Sequence, residues 1–348
     1  MLAVLLCGSC EPSDEPFLQT QYVRYTTDQP FAPCGGLADD TDRKIEHLFE
    51  RIEEPLPPRG SIAYKWVADS SSLVCIDNAA GCTRLEADGV KIAAIDLAQF
   101  HELAHAVHFL TLGLGHRVLS EGFATYYADQ PGELSAEAMA SFGASIESMI
   151  VEGVVPGDQY PFAAHFVGVT IERHGLEAFK RFWQDVDRSA TPEEFRAAYE
   201  SRYGEPWSDA LATIAARKRS VYTDIACRGE ARSVDVDGLN LVFEQTCIDE
   251  GVLGPVLRDG AVAGEVLVPL ELSEGMYRFS FVTPGTADEP AAAFRGCHEG
   301  APALVAPVGL FFPGDAAVYL ATGRYLLSVR VPLVTEAVPL EVTILREG

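Results

Sequence analysis

The sequence predicts an α+β domain over residues 16–222 and an all-β sandwich domain over residues 223–348. Before residue 225, segments with apolar residues at helical spacing follow a few strand-like runs, and capping residues and glycines bound them. After residue 225, short β-type runs such as "EVLVPLEL", "MYRFSFVTPG" and "RYLLSVRVP" recur roughly every 8–15 residues between turn-forming Gly, Pro and Asp, as in β-sandwiches. The length of 348 residues suits about two domains of roughly 150 residues each.

Residues 1–15, "MLAVLLCGSCEPSDE", form a separate N-terminal stretch. It contains a short apolar run, then small residues and cysteine, and then a polar linker. This order resembles the end of a bacterial lipoprotein signal, in which Cys10 would carry the lipid. The apolar run is shorter than the roughly 7–15 residues of most export signals, and no Lys or Arg precedes it. An irregular export signal, a start further upstream and a disordered cytosolic N-terminus are the alternatives. We expect export, either by secretion or as a periplasmic or outer-membrane lipoprotein.

The net charge is −25 at pH 7, from 51 acidic and 26 basic residues. This balance argues against a nucleic-acid partner, because phosphate contacts need clustered Lys and Arg. Solubility is the simplest reason for the acidity, and selection of a cationic substrate is the alternative. No apolar run approaches the roughly 18 residues that span a bilayer, so we expect no transmembrane span. The sequence leaves the oligomeric state open.

Six cysteines follow the N-terminal stretch. An even number in an exported chain predicts disulfides, here up to three. Cys75 and Cys82 bound one short loop, "CIDNAAGC", and we expect them to pair. The other pairings stay open, since the sequence does not determine connectivity. None of the six lies in a CxxC pair of the kind that holds structural zinc. The six are Cys34, Cys75, Cys82, Cys227, Cys247 and Cys297.

In the first domain, "FLQTQYVRYTTD", "SIAYKWVAD" and "GVKIAAID" predict strands. "DDTDRKIEHLFERI" predicts a helix that begins at its capping residues. "SAEAMASFGASIESMIVEG" predicts one helix after a Ser135 cap. "FAAHFVGVTIERHG" should end at Gly175, and "TPEEFRAAYESRYG" should begin with a capping box of Thr191 and Glu194 and end at Gly204.

The segment "FHELAHAVHF", residues 100–109, predicts a metal-binding helix. His101 and His105 are four residues apart, so both imidazoles lie on one helix face and can share an ion. Glu102 points to another side, from which it can reach a metal-bound water without ligating the metal. HExxH therefore predicts two zinc ligands and a general base. His108 lies two turns from His101, and we expect a packing or surface role for it.

A catalytic zinc site needs a third protein ligand. His116 lies in the Gly-rich turn after the helix and is sterically accessible. The long metzincin motif is broken, however, because its Gly position is His108 and its third His position is Thr111. Glu121, in "LSEGFATYYAD", is the other candidate, and its alternative role is that of an acid favoured by the dipole at a helix N-terminus.

"HELAH" followed by "LSEGFATYY" resembles the gluzincin zinc metallopeptidases, above all their aminopeptidase-type branch. The resemblance covers roughly residues 85–185 and implies a zincin-like catalytic domain that binds one Zn²⁺. It implies His101, His105 and Glu121 as the ligands and Glu102 as the base. The gap of 16 residues from His105 to Glu121 is shorter than in the aminopeptidases, which indicates a distant relative.

The same resemblance implies supporting residues around this ligand set. Gly122 would let the two ligand helices approach closely, and Thr125 and Asp129 would support a ligand from one and two turns further on. Tyr160, in "YPFAAHF", begins a segment similar to the one that places a phenol over the oxyanion in these peptidases. Its alternative role is to cap a core helix, and His165 is a weaker candidate for the oxyanion role.

The predicted activity is that of an exported zinc-dependent peptidase, in which Glu102 assists the attack of a metal-bound water on a peptide or protein substrate. No Gly-x-Met-x-Asn segment precedes His101 to grip a free amine, which favours endopeptidase over aminopeptidase activity. "GVKIAAID" stands where zincins place the edge strand that pairs with an extended peptide.

Two other functions fit the same residues. One is a zinc hydrolase that acts on a non-peptide substrate, since the fold alone does not determine the reaction. The other is a surface lipoprotein whose β-sandwich binds a partner and whose zincin domain is an inactive scaffold. The intact Glu102 argues against the scaffold, because catalysis needs this residue and metal binding alone does not.

Overall fold

A computed structural model describes residues 16–27, 32–67, 81–87, 89–97, 99–128, 134, 136–217, 227, 230–234, 238–258, 261–282, 292–297, 308–311, 314–331 and 340–347. This part of the chain combines helices with three β-sheets and is therefore α+β. Its buried apolar side chains form two main clusters, one from residues 22–214 and one from residues 234–344. Residues 1–15 with Cys10, and the predicted domain boundary at residues 222 and 223, lie outside the described residues.

The first sheet has five strands: β1 (Leu18–Gln19), β2 (Val23–Thr27), β3 (Ile62–Trp66), β4 (Gly81–Glu86) and β5 (Gly89–Ala94). Their order is β1-β2-β3-β5-β4, with β2, β3 and β5 parallel and the two outer strands antiparallel to their neighbours. The prediction that "GVKIAAID" forms the edge strand is wrong. This segment is β5, and β4 takes the outer place because the two strands form a tight hairpin.

The described part of the chain contains nine helices, and all but the first follow β5. They are α1 (Leu37–Arg51), α2 (Phe100–Thr111), α3 (Arg117–Tyr127), α4 (Ala136–Ala140), α5 (Phe142–Glu152), α6 (Tyr160–His174), α7 (Leu176–Asp185), α8 (Pro192–Tyr203) and α9 (Trp207–Ala215). A short 3-10 turn at Gly157–Gln159 precedes α6. The helices and the first sheet share one hydrophobic core.

Several predicted helix ends are confirmed. Gly175 and Gly204 follow α6 and α8 with φ of +84° and +71°, a conformation that glycine adopts at little cost. Thr191 caps α8 in a capping box with Glu194, whose Oε2 accepts a hydrogen bond from Thr191 N at 2.7 Å.

One predicted helix is divided into two, α4 and α5. Ser141 lies between them, and its hydroxyl donates to Ala138 O at 2.9 Å. This local bond competes with the helical hydrogen bonds and explains the break. The predicted cap at Ser135 lies outside the described residues.

The second half forms two sheets that enclose one core, which confirms the predicted β-sandwich. The strands are β6 (Arg232–Ser233), β7 (Leu239–Phe243), β8 (Leu253–Arg258), β9 (Ala261–Leu272), β10 (Gly275–Val282), β11 (Ala292–Gly296), β12 (Val308–Phe311), β13 (Gly314–Leu320), β14 (Gly323–Val331) and β15 (Leu340–Glu347). One sheet has the order β13-β10-β15-β7, and the other has the order β12-β11-β14-β9-β6 with β8 paired to β9. Phe279 and Val342 of the β13-β10-β15-β7 sheet and Leu327 of the other sheet are fully buried in this core.

A disulfide between Cys34 and Cys247 joins the segment before α1 to the loop after β7. Next to it, Gly35 N donates to Cys247 O at 2.7 Å and Gly36 N donates to Val252 O at 2.9 Å. A Cβ at Gly35 would lie 2.7 Å from the backbone oxygen of Ile248, so this close contact requires glycine. The helical half and the sandwich are thus joined both covalently and by backbone hydrogen bonds.

A second disulfide joins Cys227 to Cys297 within the second half of the chain. Cys82 is also disulfide-bonded. Cys75 lies outside the described residues, so the pairing of Cys75 with Cys82 stays a prediction.

Candidate metal centre

Helix α2 contains "HELAH", and the turn before it is hydrogen-bonded to β3. The Tyr64 hydroxyl donates to Asp96 O and accepts a hydrogen bond from Gln99 N at 3.2 Å. Trp66 Nε1 donates to Ile95 O at 2.9 Å. These bonds fix the chain just before α2, which also packs on α3, α1, β4 and β5.

His101, His105 and Glu121 bring three ligand atoms together. His101 Nε2 and His105 Nε2 lie 3.0 Å apart, and Glu121 Oε2 lies 3.3 Å and 3.2 Å from them. Zinc ligands at 2.0–2.1 Å from the ion stand about 3.3–3.4 Å apart at the corners of a tetrahedron. The three atoms therefore nearly match one face of such a site, and the donor set of two imidazoles and a carboxylate fits Zn²⁺.

Helix α3 carries Glu121 into the site, and its position is set by α6. A Cβ at Gly122 would lie 2.5 Å from Ala163 O of α6, so glycine allows the two helices to approach closely. The sequence predicted that Gly122 would bring the two ligand helices, α2 and α3, together. That prediction is wrong, since the close contact is with a third helix. The packing of α3 on α6 also brings Tyr160, the first residue of α6, to the site.

The Glu121 carboxylate is ionised in this cluster. Burial alone would raise its pKa, but His105 and His101 outweigh the burial and hold the pKa well below its usual range. Burial acts to lower the pKa of His105, but the nearby Glu121 carboxylate outweighs the burial and raises this pKa. The two histidines thus stabilise the anionic form of Glu121, which is the form that binds a cation.

Glu102 is buried beside the cluster, under the edge strand. Its Oε2 accepts a hydrogen bond from Thr83 Oγ1 of β4 at 2.6 Å. A Cβ at Gly81 would lie 2.9 Å from Glu102 Cγ, so β4 passes directly over this side chain. No sequence pattern indicated Thr83, because its contact with Glu102 depends on how the β4–β5 hairpin packs on α2.

Tyr160 lies against the ligand set, as the resemblance implied. Its ring stacks on that of His101, with centroids 5.3 Å apart and planes 6° from parallel. Burial raises the pKa of its phenol, and the nearby Glu121 and Glu102 raise it further. The hydroxyl therefore stays protonated at neutral pH and can donate a hydrogen bond.

Four other candidates lie outside this arrangement or take other roles. Thr125 is buried, but its hydroxyl has no hydrogen-bond partner among the described residues, and Asp129 lies outside them. His116 caps α3, where its Nδ1 accepts a backbone hydrogen bond at 3.4 Å. His165 Nε2 lies 3.0 Å from Ile214 O, to which it donates, so it belongs to the packing of α6 on α9.

His108 is fully buried and contacts His105. Its Nε2 lies 2.9 Å from His105 Nδ1 and 3.0 Å from Ser120 Oγ. Burial holds its pKa well below the usual range, so the ring is neutral. The predicted packing role is confirmed and the surface role is wrong, but the sequence reasoning missed the contact with His105. The spacing of three residues could have indicated it, because such pairs are neighbours on a helix.

Comparison with protein-family models and with curated proteins gave no match. Four chains of solved structures match, among them Aeromonas hydrophila PliG, a periplasmic lysozyme inhibitor of g-type lysozyme. That match has 19% sequence identity, covers 32% of this chain and 86% of that chain, and has a TM-score of 0.20. A likeness with so low a TM-score supports no conclusion about fold or function.

Within the described ranges, no helix is both long and apolar enough to cross a membrane.

Proposed function

We propose that the chain is an exported zinc-dependent peptidase of the gluzincin type, with a zincin-like catalytic domain. The observation that carries the proposal is the joint position of four side chains. The ligand atoms of His101, His105 and Glu121 lie within 4.8 Å of one another, and Glu102 is the neighbour of His101 on the same helix. For this reaction the protein must supply two histidine ligands, one carboxylate ligand and a general base.

His101, His105 and Glu121 would hold the ion. Two imidazoles and one carboxylate leave a fourth position for water or substrate, as in other His₂Glu zinc enzymes. When bound, zinc lowers the pKa of a coordinated water toward about 7 and polarises the scissile carbonyl.

Glu102 would act as general base and then general acid. It takes a proton from the attacking water and gives it to the leaving amine. The hydrogen bond from Thr83 holds Oε2 at 2.6 Å and leaves Oε1 for the water. Tyr160, whose ring stacks on that of His101, would donate a hydrogen bond from its phenol to the oxyanion.

The edge strand β4 offers a place for the substrate. In the described part of the chain no strand pairs with its outer side, and Arg84, Leu85 and Glu86 are exposed. An extended peptide that adds to β4 would pass beside Glu102, because Thr83 of the same strand touches that carboxylate. A site without an amine-gripping segment favours internal peptide bonds over N-terminal ones.

Two disulfides support export of the chain, since structural disulfides persist in oxidising compartments and are rare in the cytosol. The exported protein is then either secreted or anchored to a membrane by a lipid at Cys10. Mass spectrometry of the exported protein distinguishes them, because an acylated Cys10 at the mature N-terminus adds a defined mass.

The test compares wild type with Glu102→Gln, which keeps the ligands and the side-chain shape but removes the base. We expect one zinc per chain in both proteins. We expect chelator-sensitive cleavage of a mixed peptide library by wild type, with a rate at least about 100-fold lower in the variant.

Three outcomes contradict parts of the proposal. Bound zinc without cleavage beyond the Glu102→Gln level refutes the peptidase and favours the inactive scaffold. Hydrolysis of ester substrates but not of peptides favours the non-peptide hydrolase. A chain without stoichiometric metal refutes both enzymes.

A further inference from the structure

The two ring nitrogens of His105 face different partners. Nε2 lies 3.2 Å from Glu121 Oε2, within the ligand cluster. Nδ1, on the other edge of the ring, lies 2.9 Å from His108 Nε2. His108 therefore contacts the metal site through His105 and is not itself in the ligand cluster.

The position of the proton follows from this arrangement. A neutral imidazole carries one N–H, and a nitrogen that binds a cation cannot carry it. When His105 Nε2 binds the ion, the proton is on Nδ1, which then donates to His108 Nε2. Ser120 Oγ lies 3.0 Å from His108 Nε2 and 3.4 Å from His105 Nδ1, so it is the weaker acceptor for His105.

The His108 ring is held in place by aromatic neighbours. Its centroid lies 4.4 Å from that of Phe109, 5.6 Å from Phe123 and 4.9 Å from Trp183. The side chain is 0% exposed, so water has no access to replace it as a hydrogen-bond partner. A ring that is fixed in this way fixes the direction of the bond to His105.

We propose that His108 is a positioning residue of the metal site, whose ring nitrogen sets the tautomer and the ring orientation of the ligand His105. The inference rests on the proposed function, because it requires that His101, His105 and Glu121 bind zinc. Metal-bound histidines usually donate their other N–H to a carboxylate, a backbone carbonyl or water. An imidazole in that place adds no negative charge, so the ion keeps more of its electrophilic character than it would beside a carboxylate.

The test measures the zinc dissociation constant by competition with a chromophoric chelator. His108→Phe fits the aromatic surroundings but accepts no hydrogen bond, and we expect it to weaken zinc binding by about 10–100-fold. His108→Gln places an amide oxygen near the position of Nε2 and should bind zinc more tightly than His108→Phe. The matched control is His165→Phe, which removes a similarly buried histidine that bonds to Ile214 O of α9, and it should leave the dissociation constant unchanged.

Two results overturn the role of His108. One is wild-type zinc affinity in His108→Phe, and the other is equal weakening in His165→Phe. A wild-type chain that binds no zinc refutes the proposed function itself, which is a different outcome.

A second measurement needs no substitution and therefore does not depend on how the variants fold. In ¹⁵N NMR spectra of the zinc-loaded wild type, His105 should carry its proton on Nδ1 and show a hydrogen-bond coupling to His108 Nε2. A coupling from His105 to another acceptor, or a proton on His108 Nε2, overturns the inference.

Discussion

Gly122→Ala adds one methyl group where α3 packs against α6. The new Cβ would lie 2.5 Å from Ala163 O and 2.7 Å from Val167 Cγ2. Since the first of these atoms belongs to the backbone, α3 must move by roughly 0.7–1 Å to restore an ordinary contact. Glu121 is the preceding residue, so this shift would also displace a ligand atom.

The expected change in stability is the difference between two effects. Alanine is favoured over glycine in a helix by about 1 kcal/mol, whereas overpacking in a core costs about 1–3 kcal/mol. The free energy of unfolding should therefore fall by up to about 2 kcal/mol. The shift also exceeds the tolerance of about 0.5 Å within which a metal site holds its geometry, so zinc affinity should fall.

Gly143→Ala is the matched control. At Gly143 a Cβ would meet only Leu211 Cδ1, at 3.8 Å, an ordinary contact. We expect this variant to be more stable than wild type by about 0.5–1 kcal/mol, with unchanged zinc affinity. Urea denaturation of the apo protein and chelator competition measure both quantities. If Gly122→Ala gained stability as Gly143→Ala does and kept its zinc affinity, the packing of α3 on α6 would not position Glu121.

Three further substitutions test other parts of the structure. Thr83→Val should lower kcat by about 10–100-fold, since it removes a hydrogen bond to a carboxylate, while zinc affinity stays unchanged and Thr83→Ser restores the rate. Equal rates in the Val and Ser variants would contradict the role of this hydroxyl. Replacement of both Cys34 and Cys247 by Ser should lower the free energy of unfolding by about 2–5 kcal/mol in urea titrations, and an unchanged midpoint would contradict the covalent junction. Thr191→Ala should cost about 0.5–2 kcal/mol in the same assay, because α8 loses its cap, and a wild-type value would mean that the capping box contributes nothing.

Features with a local chemical cause could be predicted from the sequence. Gly175, Thr191 and Gly204 act on the backbone within a few residues, and each lies where it was expected. The start of α1 was predicted too late, at the capping residues "DDTD". Thr41 of that segment lies inside the helix and donates to Leu37 O at 2.8 Å, because packing of Leu37 in the core extends the helix toward its N-terminus.

Features that depend on tertiary contacts could not be predicted. The outer place of β4 follows from a hairpin with β5, and local alternation does not reveal strand order. In the site, His101 and His105 share one helix, so their spacing alone indicated the pair. Thr83 reaches Glu102 from a strand 19 residues earlier in the chain, and no local pattern marks such a contact.

X-ray absorption at the zinc edge of the metal-loaded protein identifies the ligand atoms of the proposed zinc site. We expect one zinc per chain with four nitrogen or oxygen ligands at about 2.0–2.1 Å, two of them with the scattering pattern of imidazole. Loss of one oxygen ligand in Glu121→Ala would assign the carboxylate. Sulfur ligands at about 2.3 Å, or no tightly bound zinc, would contradict a site built from His101, His105 and Glu121.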